Sequence, residues 1–208
     1  TPEILDEVCA ETAENAFGGI ATLIRSKFTM DDLILPTEEK KLIREACAQI
    51  KFRHIVYDKW NFESRLAYGK GLTMLFAGPP GTGKTMAATI VGSELGLPVY
   101  RVDISQVMSK YIGETEKSLG EIFDAAEHCS AILFFDETDA LFGKRSEIKD
   151  SHDKYANVET SFLLQRLESF EGVVLMATNL LQNIDEAFIR RISCVISFPL
   201  PDAQQRLS

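Results

Sequence analysis

Upstream of Leu72 the apolar residues recur at helical intervals, and from Leu72 onward they gather into short, nearly continuous runs. In residues 3–17, EILDEVCAETAENAF, the positions Ile4, Leu5, Val8 and Phe17 sit at roughly helical spacing. After Gly18-Gly19 the stretch IATLIRSKF predicts a second short helix. A longer helix is expected after Pro36. Thr37 would cap it, Glu38 and Glu39 suit the positive end of its dipole, and Leu42, Ile43, Ala46 and Ile50 form its apolar face. Residues 57–71, YDKWNFESRLAYGKG, are a loop-rich approach to the first apolar run.

Five runs then predict strands: LTMLFAG (72–78), VYRVDIS (99–105), AILFFDE (131–137), VVLMATN (173–179) and CVISFPL (194–200). Three of them are apolar almost throughout, as expected of strands covered on both faces. Helical patterns separate them. TMAATIVGSELG stops at Gly96 with Pro98 just beyond. TEKSLGEIFDAAE aligns Leu119, Ile122, Phe123 and Ala126, and VETSFLLQRLESF aligns Phe162, Leu163, Leu167 and Phe170. This alternation predicts an α/β fold with a parallel five-stranded sheet and helices on both faces. The expected division is a helical N-terminal extension over 1–30 and a core over 31–208. The polar, mixed-charge segment 143–157, GKRSEIKDSHDKYAN, reads as a long loop.

Composition narrows the function classes. The 208 residues carry a formal net charge of -9, which disfavours non-specific nucleic-acid binding and an anionic membrane surface. No apolar run approaches a membrane span and no signal-peptide pattern opens the chain, so a cytoplasmic location is expected. Cys9, Cys47, Cys129 and Cys194 are scattered and read as reduced thiols, and His54, His128 and His152 lack metal-ligand spacing.

The chemistry lies at strand ends. Gly78, Pro79, Pro80, Gly81, Thr82, Gly83, Lys84 and Thr85 spell GPPGTGKT, which fits G-x-x-x-x-G-K-[ST] between a strand and a helix. Its glycines let backbone N–H groups turn inward on an anion, and the helix N-terminus adds partial positive charge. Lys84 would reach the outer phosphates of a nucleoside triphosphate, and the Thr85 hydroxyl would hold Mg²⁺. AILFFDE delivers Asp136 and Glu137 to the carboxyl end of its strand, where open α/β sheets bind ligands. Asp136 suits the Mg²⁺ through water, and Glu137 is the base for an attacking water. Asn179, ending MATN, would orient that water or sense the γ-phosphate, although Asn also ends strands for local reasons. Arg190 and Arg191 in NIDEAFIRRI read either as a solvated helix end or as guanidinium groups that neutralise a transferring phosphoryl group.

Taken together these residues resemble the AAA+ ATPases, and within them the AAA family of protein-remodelling machines. GPPGTGKT is similar to that family's Walker A loop, ILFFDETDALF to its Walker B strand, ATN at 177–179 to sensor 1, and NIDEAFIRR to the region carrying its arginine fingers. The likeness runs over roughly residues 30–205. It implies a P-loop NTPase fold, Mg²⁺-dependent ATP hydrolysis, and a ring of identical protomers, expected to be a hexamer, acting on a protein substrate. MDDLILP occupies the place of the family's D-D-I-G-G, so the nucleotide contacts implied here include Asp32, Ile34 and, from the loop helix, Met86. SKYIGETEKSL (109–119) resembles the family's first pore loop, which makes Lys110, Tyr111, Ile112 and Gly113 the expected grip on a polypeptide. The plainer reading of Tyr111 is a side chain packed on its own domain. The run 139–157 also resembles a bacterial subgroup found beside contractile injection systems, where Lys144, Arg145 and His152 would lie near a second pore loop. A solvated loop is the plainer reading there.

Three departures stand against the family pattern. Ile34-Leu35 replace Gly-Gly, and Ile192-Ser193 replace the family's Phe-Asp or Phe-Glu. The helical C-terminal lid has no counterpart before the sequence ends at PDAQQRLS, so the expectation is a fragment of a longer enzyme. The leading expectation is an ATP-driven remodeller or unfoldase. An assembly switch that docks or releases a partner without threading is the alternative. A nucleic-acid motor is disfavoured by the charge.

Overall fold

The computed structural model describes residues 17–53, 55, 71–107, 114–138 and 161–201. Its strands are β1 (Ala21–Ile24), β2 (Leu72–Ala77), β3 (Val99–Val102), β4 (Ile132–Phe135), β5 (Val173–Thr178) and β6 (Cys194–Ser197). Its helices are α1 (Thr37–Lys51), α2 (Lys84–Leu95), α3 (Ile104–Val107), α4 (Glu114–His128), α5 (161–169) and α6 (Glu186–Ile189). The five predicted strands are present, each ending a little before the end of its apolar run.

The sheet order is β1-β3-β4-β5-β2-β6. β2 through β6 run parallel, as expected. The sixth strand is an addition to the expected five. IATLIRSKF contains β1, paired antiparallel to β3 with Ala21 opposite Val102 and Ile24 opposite Val99, in place of the second short helix. The physical reason is tertiary. β3 would otherwise be an uncovered edge, and Phe17 stacks on Tyr100 of β3 with ring centroids 4.5 Å apart. The first expected helix, 3–17, lies outside the described residues except for Phe17.

Alternation along each buried strand feeds two cores. Leu75, Leu133 and Phe135 point to the face covered by α4 and α5, where Phe123, Leu163, Leu167 and Phe170 close the layer. Met74, Phe76, Ile132 and Phe134 point to the other face, under Ile43 of α1 and Ala87, Ile90 and Val91 of α2. β2 and β5 are buried along their whole length, which is why their sequences show no polar alternation.

Two helix ends explain themselves locally. α2 stops because Gly96 takes a left-handed φ of 68°, letting the Leu97 N–H bond back to the Gly92 carbonyl. α1 differs from expectation: Pro36 occupies the cap position in extended geometry, and Thr37 is the first helical residue with no side-chain cap bond. Glu39 in the first turn instead accepts the outward N–H of Ser197 at 3.1 Å, so α1 closes part of the β6 edge.

Candidate functional site

Because β4, β5 and β2 are neighbours and parallel, their carboxyl ends open onto one corner. The order of strands alone therefore brings Asp136, Asn179 and the loop 78–83 together.

The loop is shaped by two kinds of glycine. Gly81 and Gly83 have φ of 77° and 94°, left-handed conformations that a side chain disfavours. Gly78 is required for closeness instead. A Cβ there would stand 2.1 Å from the Phe198 carbonyl oxygen, where the chain leaving β6 passes beneath the loop. The Gly78 N–H donates to the Thr178 carbonyl at 3.2 Å, tying the loop to the end of β5. Thr82 folds its hydroxyl back onto the Pro79 carbonyl at 2.8 Å. Pro79 and Pro80 are exposed.

Lys84 opens α2 and is only 8% exposed, which for a lysine demands partners. Its ammonium donates to the carbonyls of Gly78 (2.7 Å) and Pro79 (2.8 Å) and to Asn179 Oδ1 (2.9 Å). These three acceptors are neutral oxygens at the mouth of the loop. A cation so placed over a helix N-terminus is a fit for phosphate. The bond from Lys84 also fixes the amide orientation of Asn179.

Thr85 Oγ1 stands 3.5 Å from Asp136 Oδ2. A hydroxyl and a carboxylate at this corner are hard oxygen donors of the type that suits Mg²⁺. Among the described residues there is no group of three or more His, Cys, Asp or Glu arranged for a metal. Any cation held here would complete its shell from water and phosphate.

Glu137 adopts a left-handed φ of 53°, one of only two non-glycine residues among those described to do so. For an L-residue this costs on the order of 1–2 kcal/mol. The Glu137 side chain is exposed. Two contacts impose the left-handed φ: Asp136 Oδ1 accepts the Glu137 N–H at 3.1 Å, and Thr138 is clamped to β5. The buried Thr138 donates both its N–H and its hydroxyl to the Ala177 carbonyl, each at 2.9 Å. Sequence reasoning passes over Thr138. Its signal is a small polar residue directly after the acidic pair, with a partner 39 positions away.

Asp32 and Ile34 divide. Leu33, between them, is buried, and its Cδ1 lies 3.9 Å from where a Gly83 Cβ would stand, so the segment runs beside the loop. Ile34 is 46% exposed and available to a ligand. The Asp32 carboxylate accepts the N–H (2.7 Å) and hydroxyl (2.8 Å) of Thr29, and these bonds lower its pKa. Its demonstrated role is that turn. Met86 is half-buried against the α1–α2 core.

Arg190 and Arg191 stand on the segment between β5 and β6. Arg191 Nε donates to the Glu168 carboxylate on α5, and Arg190 is exposed with Glu186 3.8 Å away. Lys110, Tyr111, Ile112 and Gly113 lie outside the described residues, as do Lys144, Arg145 and His152. A separate cavity of about 390 Å³ lies at the opposite end of the sheet, lined by residues that include Ile50, Arg53, Ala131 and Val173.

Comparison with known proteins gives a consistent picture. Residues 74–200 match the family described as "ATPase family associated with various cellular activities (AAA)". An uncharacterized AAA family ATPase, y4kL of Sinorhizobium fredii, is 40% identical over 132 residues, covering 62% of this chain and 39% of its own length. Cell division protein C of Sulfolobus acidocaldarius is 32% identical, covering 88% of this chain and 52% of its own. The chain thus spans about half the length of these relatives or less. Among solved structures, the FIGL-1 AAA domain superposes with a TM-score of 0.67 at 27% identity, covering 93% of this chain and 63% of that one. The same domain is also known in complex with ADP.

Proposed function

The chain belongs to the AAA family of ATPases, and from that premise we propose that it is the hydrolytic core of a ring-forming, ATP-driven protein remodeller. Its fold is that of a P-loop nucleoside triphosphatase, a mixed sheet between helices. The observation that carries the proposal is the buried Lys84 ammonium, held at one corner with Asn179, Thr85, Asp136 and a strained Glu137.

In this reading the loop N–H groups and Lys84 bind the phosphates. Thr85 and Asp136 would hold Mg²⁺, which when bound would supply a charge that offsets the phosphate oxygens. Asn179, its oxygen fixed by Lys84, turns its amide N–H₂ toward the reaction corner. Glu137 accepts the proton of the attacking water as that water bonds to phosphorus and ADP leaves. The turn that carries Arg190 and Arg191 serves a neighbouring copy, and Tyr111 and Ile112 contact a protein substrate in the cytoplasm. Support for a protein substrate comes from the pore-loop resemblance and the acidic net charge.

The test uses the full-length protein. Glu137→Gln is expected to bind ATP with near-normal affinity and to lose turnover by about 1,000-fold or more, the scale of removing a general base and its alignment. Normal turnover would remove Glu137 from that role. Tyr111→Ala is expected to keep ATP hydrolysis and to abolish substrate unfolding. Intact unfolding would favour the switch that docks a partner without threading.

A further inference from the structure

Arg190 and Arg191 are adjacent in sequence, and the fold puts them to opposite uses. Both lie in the turn that follows α6, where the Arg190 N–H bonds back to the Glu186 carbonyl and the Arg191 N–H to that of Phe188, so the chain keeps a helix-like sense past Ile189. Successive side chains on a helix diverge by about 100°. One face of this turn is fixed inward by Phe188, which is buried, and by Ile189 and Ile192, which pack on the same core. With that face set, the two arginines cannot point the same way. Arg191 turns to α5, where its Nε meets the Glu168 carboxylate. Arg190 turns to water, with 80% of its side chain exposed.

We infer that Glu168 is a positioning residue. It commits Arg191 within the chain and so sets the direction in which Arg190 is presented to the triphosphate held by a second copy. The inference rests on the ring reading proposed above.

The turn needs such a latch. α6 has four residues, too few to hold its own axis, because a single helical turn does not repay the cost of nucleation. It is strung between β5 and β6, fastened at its far side by the Ser193 N–H to the Thr73 carbonyl. A guanidinium–carboxylate bond is charge-assisted and directional, which a fastening that sets an angle requires. The base of the latch is itself secured. Two positions before Glu168, Arg166 Nη2 donates to Asp124 Oδ1 at 2.7 Å and to the Gly120 carbonyl at 3.3 Å on α4. α5 is therefore braced on one side and braces the arginine turn on the other.

The test measures hydrolysis, ATP affinity and the behaviour of mixed rings in the full-length protein. Arg190→Ala should lower kcat by about 1,000-fold and poison wild-type neighbours when mixed, the scale of an arginine acting in trans. Glu168→Ala and Arg191→Ala should each lower kcat about tenfold with ATP affinity unchanged, and the double variant should be no worse than either. The exchange Glu168→Arg/Arg191→Glu should restore most of the lost rate, an effect that general destabilisation would not produce and that decides the matter if Glu168→Ala folds poorly. The inference falls if the exchange fails to restore rate, or if Glu168→Ala keeps the wild-type rate while Arg191→Ala falls as far as Arg190→Ala. In those cases Arg190→Ala is still crippled and the ring reading stands. If neither arginine variant slows hydrolysis, the ring reading fails and takes the inference with it.

Discussion

The phosphate corner and the arginine turn belong to one proposed reaction and are held in opposite ways. At the corner the backbone does most of the positioning: three parallel strand ends, two left-handed glycines and a lysine 8% exposed, tied to three oxygens. Just past a four-residue helix stands an arginine whose side chain is 80% exposed, and a carboxylate on another helix holds its neighbour. A group that must meet its own chain's ligand can be locked by packing. A group that must meet another molecule has to stay outside the core, so packing and backbone bonds hold only its base and a side-chain fastening is left to aim it.

The comparison breaks most readily at Gly78. An added Cβ would lie 2.1 Å from the Phe198 oxygen and 2.8 Å from its Cβ, so the backbone at the end of β2 or at the exit of β6 would have to shift. Gly78→Ala is expected to cost about 3 kcal/mol, or about 6–12 °C in Tm, and to weaken nucleotide binding with it. Gly81→Ala is the control. It meets nothing within 4 Å, has a φ of 77°, and should cost only about 1 kcal/mol. Thermal melts that rank Gly81→Ala as the worse of the two would show that strand packing does not fix the corner.

The same division governs what the sequence discloses. The corner is legible because its signals are contiguous: GPPGTGKT, AILFFDE and MATN each carry strand and chemistry in one stretch, and buried parallel strands announce themselves as apolar runs. β1 reads wrongly as helix because four residues, ATLI, show no period that separates helix from strand; the deciding contacts are with Tyr100 and Val102, far along the chain. The expected cap at Thr37 is off by one residue because Pro36 takes the extended cap geometry without offering a side-chain oxygen. Thr138, Arg166 and Glu168 are invisible for a different reason. Each acts through a partner on another element, and an isolated Thr, Arg or Glu has no local pattern that names its partner.

A smaller effect, of opposite sign, is expected where the corner departs from rigidity by backbone economy. Glu137 holds its left-handed φ because Thr138 is pinned to Ala177, so the strain is stored at the proposed base. Asn tolerates that conformation better than Glu. Glu137→Asn should therefore raise stability by about 0.5–1 kcal/mol while abolishing turnover, a melting shift of about 1–4 °C upward. Thr138→Val should lower stability by about 1 kcal/mol, since one of the two bonds to the Ala177 oxygen is lost. A Glu137→Asn protein that melts below wild type would mean the left-handed turn is relieved by contacts other than those described.

The smallest effect is the sharpest probe of the turn, because two carboxylates there differ only in what they hold. Glu186 and Arg190 are 3.8 Å apart on one helical turn, each 80% exposed, and a pair so placed is screened by water and salt. Glu186→Gln should change stability by less than about 0.5 kcal/mol and should leave hydrolysis at its normal rate. Glu168→Gln removes a charge of the same kind from a bond to a less exposed partner, and should cost more, up to about 1 kcal/mol, together with part of the rate. The two variants carry the same chemical change at opposite sides of one arginine pair. If denaturant melts and turnover cannot tell them apart, then the direction of Arg190 is set by the buried Phe188 face alone, and the turn is held by packing after all, like the corner it was contrasted with.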